Sequence, residues 1–155
     1  MKIQKYIGEV FSLVNQAETE EQKIKILREN KTPGMMELFK FAYDPAYISL
    51  VSEIPKYKPD DSPYGYSYSD LNKEYHRIYY FFNYPNKNKI WGINPRQRHK
   101  ILLNILERIH WSDAAILSSI LINKKIPNIS LELVQKAFPD FTITTKEFTE
   151  ENIDD

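Results

Sequence analysis

Apolar side chains recur along most of this chain at three- and four-residue spacing, the period of helices that bury one face. The plainest case is Asn94 to Asn123, which reads as two helices joined by a short corner. Asn94 is a good N-cap, and Pro95 suits the first helical position, where a missing N–H costs nothing. Ile101, Leu102, Ile105, Leu106 and Ile109 then form a stripe. After the corner, Ser112 is placed to cap a second helix, with Asp113 in its first turn meeting the positive end of the helix dipole. Ala115, Ile116, Leu117, Ile120, Leu121 and Ile122 make that helix apolar on more than one side, which predicts a central, buried position. Burying four or five such side chains is worth roughly 1.5–3 kcal/mol each, so this pair is expected to carry the core.

The same periodicity predicts further helices. Ile3, Tyr6, Ile7, Val10, Phe11 and Val14 share one side of residues 3–16. Thr19 and Gln22 read as a capping box before Ile24 and Leu27. Thr32-Pro33 opens a third helix with Met35, Met36, Leu38, Phe39 and Ala42 inward. Ser69 is placed to cap a helix bearing Leu71, Tyr75, Ile78, Tyr79 and Phe82, and Ser130 one bearing Leu131, Val134 and Phe138, which Pro139 ends. Ala46 to Val51 fits either a helical turn or a short extended piece. The expected architecture is all-α: a compact bundle of about seven short helices forming one domain over residues 1–139, with 140–155 as a mobile acidic tail in which Phe141-Thr142-Ile143 could dock locally. There is no internal repeat.

Two segments break the pattern. Pro55, Pro59 and Pro63, with Gly65, exclude both helix and central strand from Ser52 to Ser69. A loop this long in a small domain is commonly functional, and Tyr57, Tyr64, Tyr66 and Tyr68 would gain by lying against the body. Tyr84 to Gly92 is a second, basic loop.

Composition adds bounds. A chain of 155 residues with 42% apolar and 27% charged residues is an ordinary globular domain. Its 11 tyrosines are many; they fill small cores and also suit surfaces that are half apolar and half wet. Zero cysteine removes disulfides, thiolate metal sites and cysteine nucleophiles. With no leader-like N-terminus and no long apolar run, a soluble intracellular protein is expected. The net charge of zero is unevenly spread. Six acids against Lys146 give the chain from Asp140 onward a net charge of −5. The window between Glu74 and Glu107 has no acid and six cations: Arg77, Lys87, Lys89, Arg96, Arg98 and Lys100.

That window is the best candidate for an anionic partner. Tyr84, Lys87, Lys89, Trp91, Arg96, Arg98 and Lys100 interleave cations with two large rings, a mixture that can track phosphates while stacking unpaired bases. A helix-turn-helix reading of Ile101 to Leu121 is weaker, because its second helix is too apolar to face a groove. Catalytic and metal chemistry find little support. His76 falls opposite much of its helix's apolar face, His99 lies in the basic run, and His110 is expected at a helix C-terminus, where it could pair with Asp113. Asp60-Asp61 could hold a hard cation, but adjacent acids before Ser-Pro more commonly open a turn. Gly8, Gly34, Gly65 and Gly92 are too scattered for a phosphate-cradling loop. Tyr6-Ile7-Gly8 is half of the GIY-YIG nuclease signature, with the other half missing. No catalytic residue, metal ligand or cofactor is assigned.

Three stretches resemble an uncharacterised protein family of large tailed, myovirus-type bacteriophages: KIKILRENKTPGMMELFKFAYDP (Lys23 to Pro45), YKPDDSPYGYSYSDL (Tyr57 to Leu71), and Arg96 to Pro139, with RQRHKILLNILERIHWSDAAILSSILINKKIP followed by LELVQKAFP. The resemblance carries no functional residues and implies work inside an infected bacterium or in the virion. The function expected from these readings is that of a non-enzymatic phage accessory protein binding a host or phage macromolecule, a protein by preference. Its contact surface would be Tyr57, Tyr64, Tyr66 and Tyr68 with the segment Tyr84 to Lys100. The alternatives are single-stranded nucleic-acid binding, a virion or assembly component, and a metal-dependent nuclease using Asp60, Asp61 and a histidine.

Overall fold

A computed structural model describes residues 4–83 and 93–144. The protein is predominantly helical, with seven α-helices and one two-stranded sheet among the described residues. In chain order these are α1 (Ile7–Gln16), α2 (Glu20–Glu29), α3 (Pro33–Tyr43), β1 (Ile48–Ser49), α4 (Leu71–Ile78), a 3-10 turn (Tyr79–Phe81), β2 (Phe82–Asn83), α5 (Pro95–Arg108), α6 (Trp111–Asn123) and α7 (Leu131–Ala137). None of these helices is long and apolar enough to cross a membrane.

Most helices start where a local side chain can satisfy their free amides. Thr19 and Gln22 form the reciprocal capping box of α2. Thr32 accepts from the Met35 amide ahead of Pro33, and Ser130 from the Leu133 amide. Asn94 caps α5 and gains a second bond, because Gln97 reaches back to its amide. At α4 the cap is Asp70 rather than Ser69: the Asp70 carboxylate accepts from the Asn72 amide at 2.8 Å. Ser69 instead donates its hydroxyl to Glu74 at 2.6 Å. Burial pushes the Glu74 carboxyl up, but the Ser69 hydroxyl and the Arg77 guanidinium outweigh it and hold the group below the usual carboxylate range. Arg77 continues to Asn104 on α5 at 3.1 Å, tying α4 to α5.

Helix α6 is central, but not as half of a hairpin. Its backbone lies close against α1 and α3 and does not run alongside α5. Ala114, Ile116, Leu117, Ile120 and Leu121 are buried, whereas Ala115 and Ile122 are exposed. The chain ends α6 with Lys124 in the left-handed conformation (φ 56°). Its ammonium donates to the carbonyls of Phe41 (2.6 Å) and Asp44 (2.8 Å), capping the end of α3. Burial pushes this amine down to about 8.

Aromatic rings fill two parts of the core. Phe39 stacks on Phe11 with centroids 5.8 Å apart and also meets Phe138 and Phe141. Phe41 stacks on Phe82 at 5.0 Å and takes Tyr47 and Tyr79 edge-on. Packing therefore continues past Pro139: Phe141 is buried and the Thr144 amide donates to Asp44 at 3.3 Å. The ambiguous segment at Ala46 to Val51 is extended, with Ile48 and Ser49 paired antiparallel to Asn83 and Phe82.

Helix α1 has no capping side chain of its own. Its Gly8 amide donates instead to Asp113 Oδ1 at 2.7 Å, and the Leu71 amide at the start of α4 donates to Asp113 Oδ2 at 2.9 Å. Asp113 itself lies in the first turn of α6, so one fully buried carboxylate receives the amino ends of three helices. Desolvation wins over these two amide bonds and pushes its carboxyl up to about 6, with Asp70 and Glu9 adding to the rise.

The approach of α1 requires Gly8. A methyl group there would sit 2.5 Å from the Ser112 hydroxyl oxygen and 2.9 Å from the Asp113 amide nitrogen. Gly8→Ala should therefore lower the unfolding free energy by about 2–3 kcal/mol in a urea titration, as overpacking against backbone does. Asp113→Ala should cost about 3 kcal/mol at pH 7 by leaving two buried amides unpaired. Between the unfolded carboxylate value and about 6 the folded state holds the extra proton, so this group's stabilisation is fully present at about pH 4 and is lost as pH rises through 6. The cost of Asp113→Ala should accordingly be larger at pH 4 than at pH 7, by up to about 3 kcal/mol.

Candidate functional site

The long loop after β1 carries no helix or strand pairing beyond one isolated bridge, yet its backbone is anchored at intervals. Tyr57 is a half-buried packing ring beside Ser118 of α6, and burial pushes its hydroxyl up. The Asp60 carbonyl accepts from the Trp111 amide at 2.9 Å, and the Asp60 carboxylate accepts from the Ser62 amide at 3.0 Å. The Ser62 side chain and amide, with the Ser67 side chain nearby, hold the Asp60 carboxyl below the usual range; of these only the Ser62 amide has hydrogen-bonding geometry. Tyr66 closes a turn onto the Pro63 carbonyl at 3.1 Å, made possible by Gly65 at φ +97°. The Ser67 amide then donates to the Tyr6 hydroxyl at 3.2 Å, and the Ser69 amide to the Arg108 carbonyl at 2.9 Å.

Backbone groups pinned inward leave the rings outward. Tyr66 is 78% exposed and Tyr68 86%, with Tyr64 at 40% and Trp111, the first residue of α6, at 51%. Tyr64 is the inner member: it stacks on His110 with centroids 4.4 Å apart and meets Tyr6 edge-on at 5.7 Å. His110 is therefore not at a helix C-terminus. Helix α5 ends at Arg108, and His110 is the N-cap of α6, its Nδ1 accepting from the Ser112 amide at 3.1 Å and facing the Ser112 hydroxyl at 2.8 Å. Ser112 consequently lies inside the helix, and Asp113 turns to α1 and α4 rather than to His110.

The expected contact surface is divided by this arrangement. Arg96 and Lys100 are exposed and Arg98 is half-buried, donating from Nε to the Tyr80 carbonyl at 3.2 Å. They occupy the start of α5, whereas the rings gather at its end, so Arg96 and Arg108 are separated by about 18 Å of helix rise. Tyr84, Lys87, Lys89 and Trp91 lie outside the described residues. His76 and His99 are exposed on α4 and α5, and no three His, Asp or Glu side chains gather as metal ligands among the described residues. Asp60 serves a turn, as adjacent acids before Ser-Pro commonly do.

Tyr6, His110 and Trp111 are members of the aromatic corner that sequence reasoning did not assign. A signal for Trp111 existed: it shares a helical stripe with Ala115, Ser118, Ser119 and Ile122, the least buried line of α6. Nothing local announces Tyr6 or His110, which meet Tyr64 only through the fold.

This is a helical protein whose exposed aromatic surface is presented by an ordered loop. Residues 10–128 match the family of unknown function DUF6433, and the chain belongs to that family. No curated protein matches its sequence. A solved structure titled "Pmar-Lig_PreS3" shares the fold, with a TM-score of 0.61 at 16% identity over 88% of this chain and 31% of that chain. The protein thus spans about a third of the length of that structure.

Exposed and inner rings should respond differently to truncation. Tyr66→Ala and Tyr68→Ala should each shift the unfolding free energy by less than about 0.5 kcal/mol. Tyr64→Ala should cost about 1–2 kcal/mol through its lost stacking and edge contacts, as read by thermal or urea denaturation.

Proposed function

We propose that this protein is a non-enzymatic accessory protein of a large tailed bacteriophage that binds another macromolecule, a protein by preference, through its aromatic corner. It would act in the cytoplasm of the infected bacterium or travel in the virion. The observation that carries this reading is the set of rings Tyr64, Tyr66 and Tyr68, presented by a loop whose backbone is anchored to the body, together with Trp111 at the start of α6. Rings of this kind supply large contact area for little lost side-chain freedom and are enriched among residues that dominate interface energies. The octapeptide Ser62 to Ser69 carries no charge and is flanked by Asp61, which is exposed, and Asp70, which caps α4. An uncharged stretch of this kind favours a neutral or apolar protein surface.

A second reading, single-stranded nucleic-acid binding, draws on the exposed Arg96 and Lys100 together with the same rings. On that reading a strand would stack bases at the corner and run along α5 toward the cations. The two readings separate in one experiment. The wild-type chain and its Tyr66→Ala/Tyr68→Ala/Trp111→Ala variant serve as baits in extracts of infected cells, with and without nuclease. The expected result is a protein captured by the wild type in both conditions and reduced at least tenfold with the variant. Capture abolished by nuclease, with oligothymidylate binding that weakens steeply with salt, would transfer support to the second reading. Capture indifferent to the three rings would remove both.

A further inference from the structure

A concave surface lies away from the aromatic corner. The end of α2, the outer side of α3 and the chain leaving α7 enclose an open trough of about 530 Å³, a size typical of ligand and anchor pockets. Met36, Phe138 and Phe141 line it with apolar surface, and Arg28, Lys31 and Lys40 supply cations, against one lining acid, Asp140.

Two of the three cations are held in place by neutral partners. Arg28 donates from Nε to the Ala137 carbonyl at 2.7 Å and from Nη2 to the Lys136 carbonyl at 3.2 Å, so its planar fork is fixed at the end of α7. The Lys31 ammonium sits 5.6 Å from the centre of the Phe138 ring. Lys40 pairs with the half-buried Glu37 at 3.4 Å and so carries a countercharge of its own.

We propose that this trough docks an acidic peptide segment bearing one large apolar side chain. Its carboxylates would meet Arg28, Lys31 and Lys40 while the apolar side chain rests on Met36 and the outer edges of Phe138 and Phe141. Charge complementarity selects the acidic chain. The apolar lining selects a peptide over a bare anion, because an inorganic phosphate would satisfy the cations and leave the half-buried Met36 side chain uncovered. The proposal uses no residue of the aromatic corner, so it stands independently of the function proposed above.

A fluorescein-labelled pentapeptide, Glu-Glu-Phe-Glu-Glu, tests it by fluorescence anisotropy on the full chain. Binding is expected to weaken at least tenfold in Lys31→Gln/Lys40→Gln, two positions at the rim whose change should leave the circular dichroism and melting temperature as they were. It should also weaken when Phe in the probe is replaced by Ser. The proposal is overturned if the wild type does not bind the peptide, or if the double variant binds it equally well. It is likewise overturned if a Lys-Lys-Phe-Lys-Lys peptide or tripolyphosphate binds as tightly as the acidic probe.

Discussion

Asp113 is the constraint on which the rest of the arrangement depends. A buried carboxylate is costly unless its oxygens are met, and here they are met by the amides of Gly8 and Leu71, at the amino ends of α1 and α4. The positive ends of three helix dipoles point toward one negative group. Their mutual positions follow, because α1 can reach α6 only where Gly8 offers no side chain. The first turn of α6 is thereby held, and with it His110 and Trp111, the two residues against which the long loop is built.

The loop shows how an irregular segment can be ordered without a ladder of its own. The Ser67 amide pairs with the Tyr6 hydroxyl, the Ser69 amide with the Arg108 carbonyl and the Asp60 carbonyl with the Trp111 amide, so its backbone is anchored to the body of the protein at intervals. Proline and glycine set the turns, and side chains not needed for that pairing face solvent. Two chemically similar groups of rings are separated in this way. Phe11, Phe39, Phe41, Phe82, Phe138 and Phe141 close the core, while Tyr66 and Tyr68 remain in water. An outward ring whose backbone is already fixed has little entropy left to lose on meeting a partner. That is the physical ground for assigning the corner a binding role.

Much of the helical framework was legible in the sequence. The capping box at Thr19 and Gln22, the Thr32-Pro33 start, Asn94-Pro95 and Ser130 each act within three or four residues, and apolar periodicity marks which face is inward. The same local reasoning misplaced two caps. Ser69 and Ser112 are good capping residues, but Asp70 and His110 hold those positions. The serine hydroxyls are drawn instead to Glu74 and to the His110 ring, partners whose availability depends on packing. Periodicity also could not tell that α6 would lie closest to α1 and α3, since an apolar stripe specifies burial without naming the surface that covers it.

The sequence by itself determined the helix starts, the apolar faces and the exclusion of helix from the proline-rich loop, because those effects are decided among near neighbours in the chain. Tertiary structure alone decided which rings meet at the corner and that the Arg96 to Lys100 cations stand at the opposite end of α5. It also decided that Asp113 would join segments 42 and 105 residues away. A carboxylate carries no mark of which distant amides it will accept. Only the folded chain brings them within hydrogen-bonding distance and shields them from water.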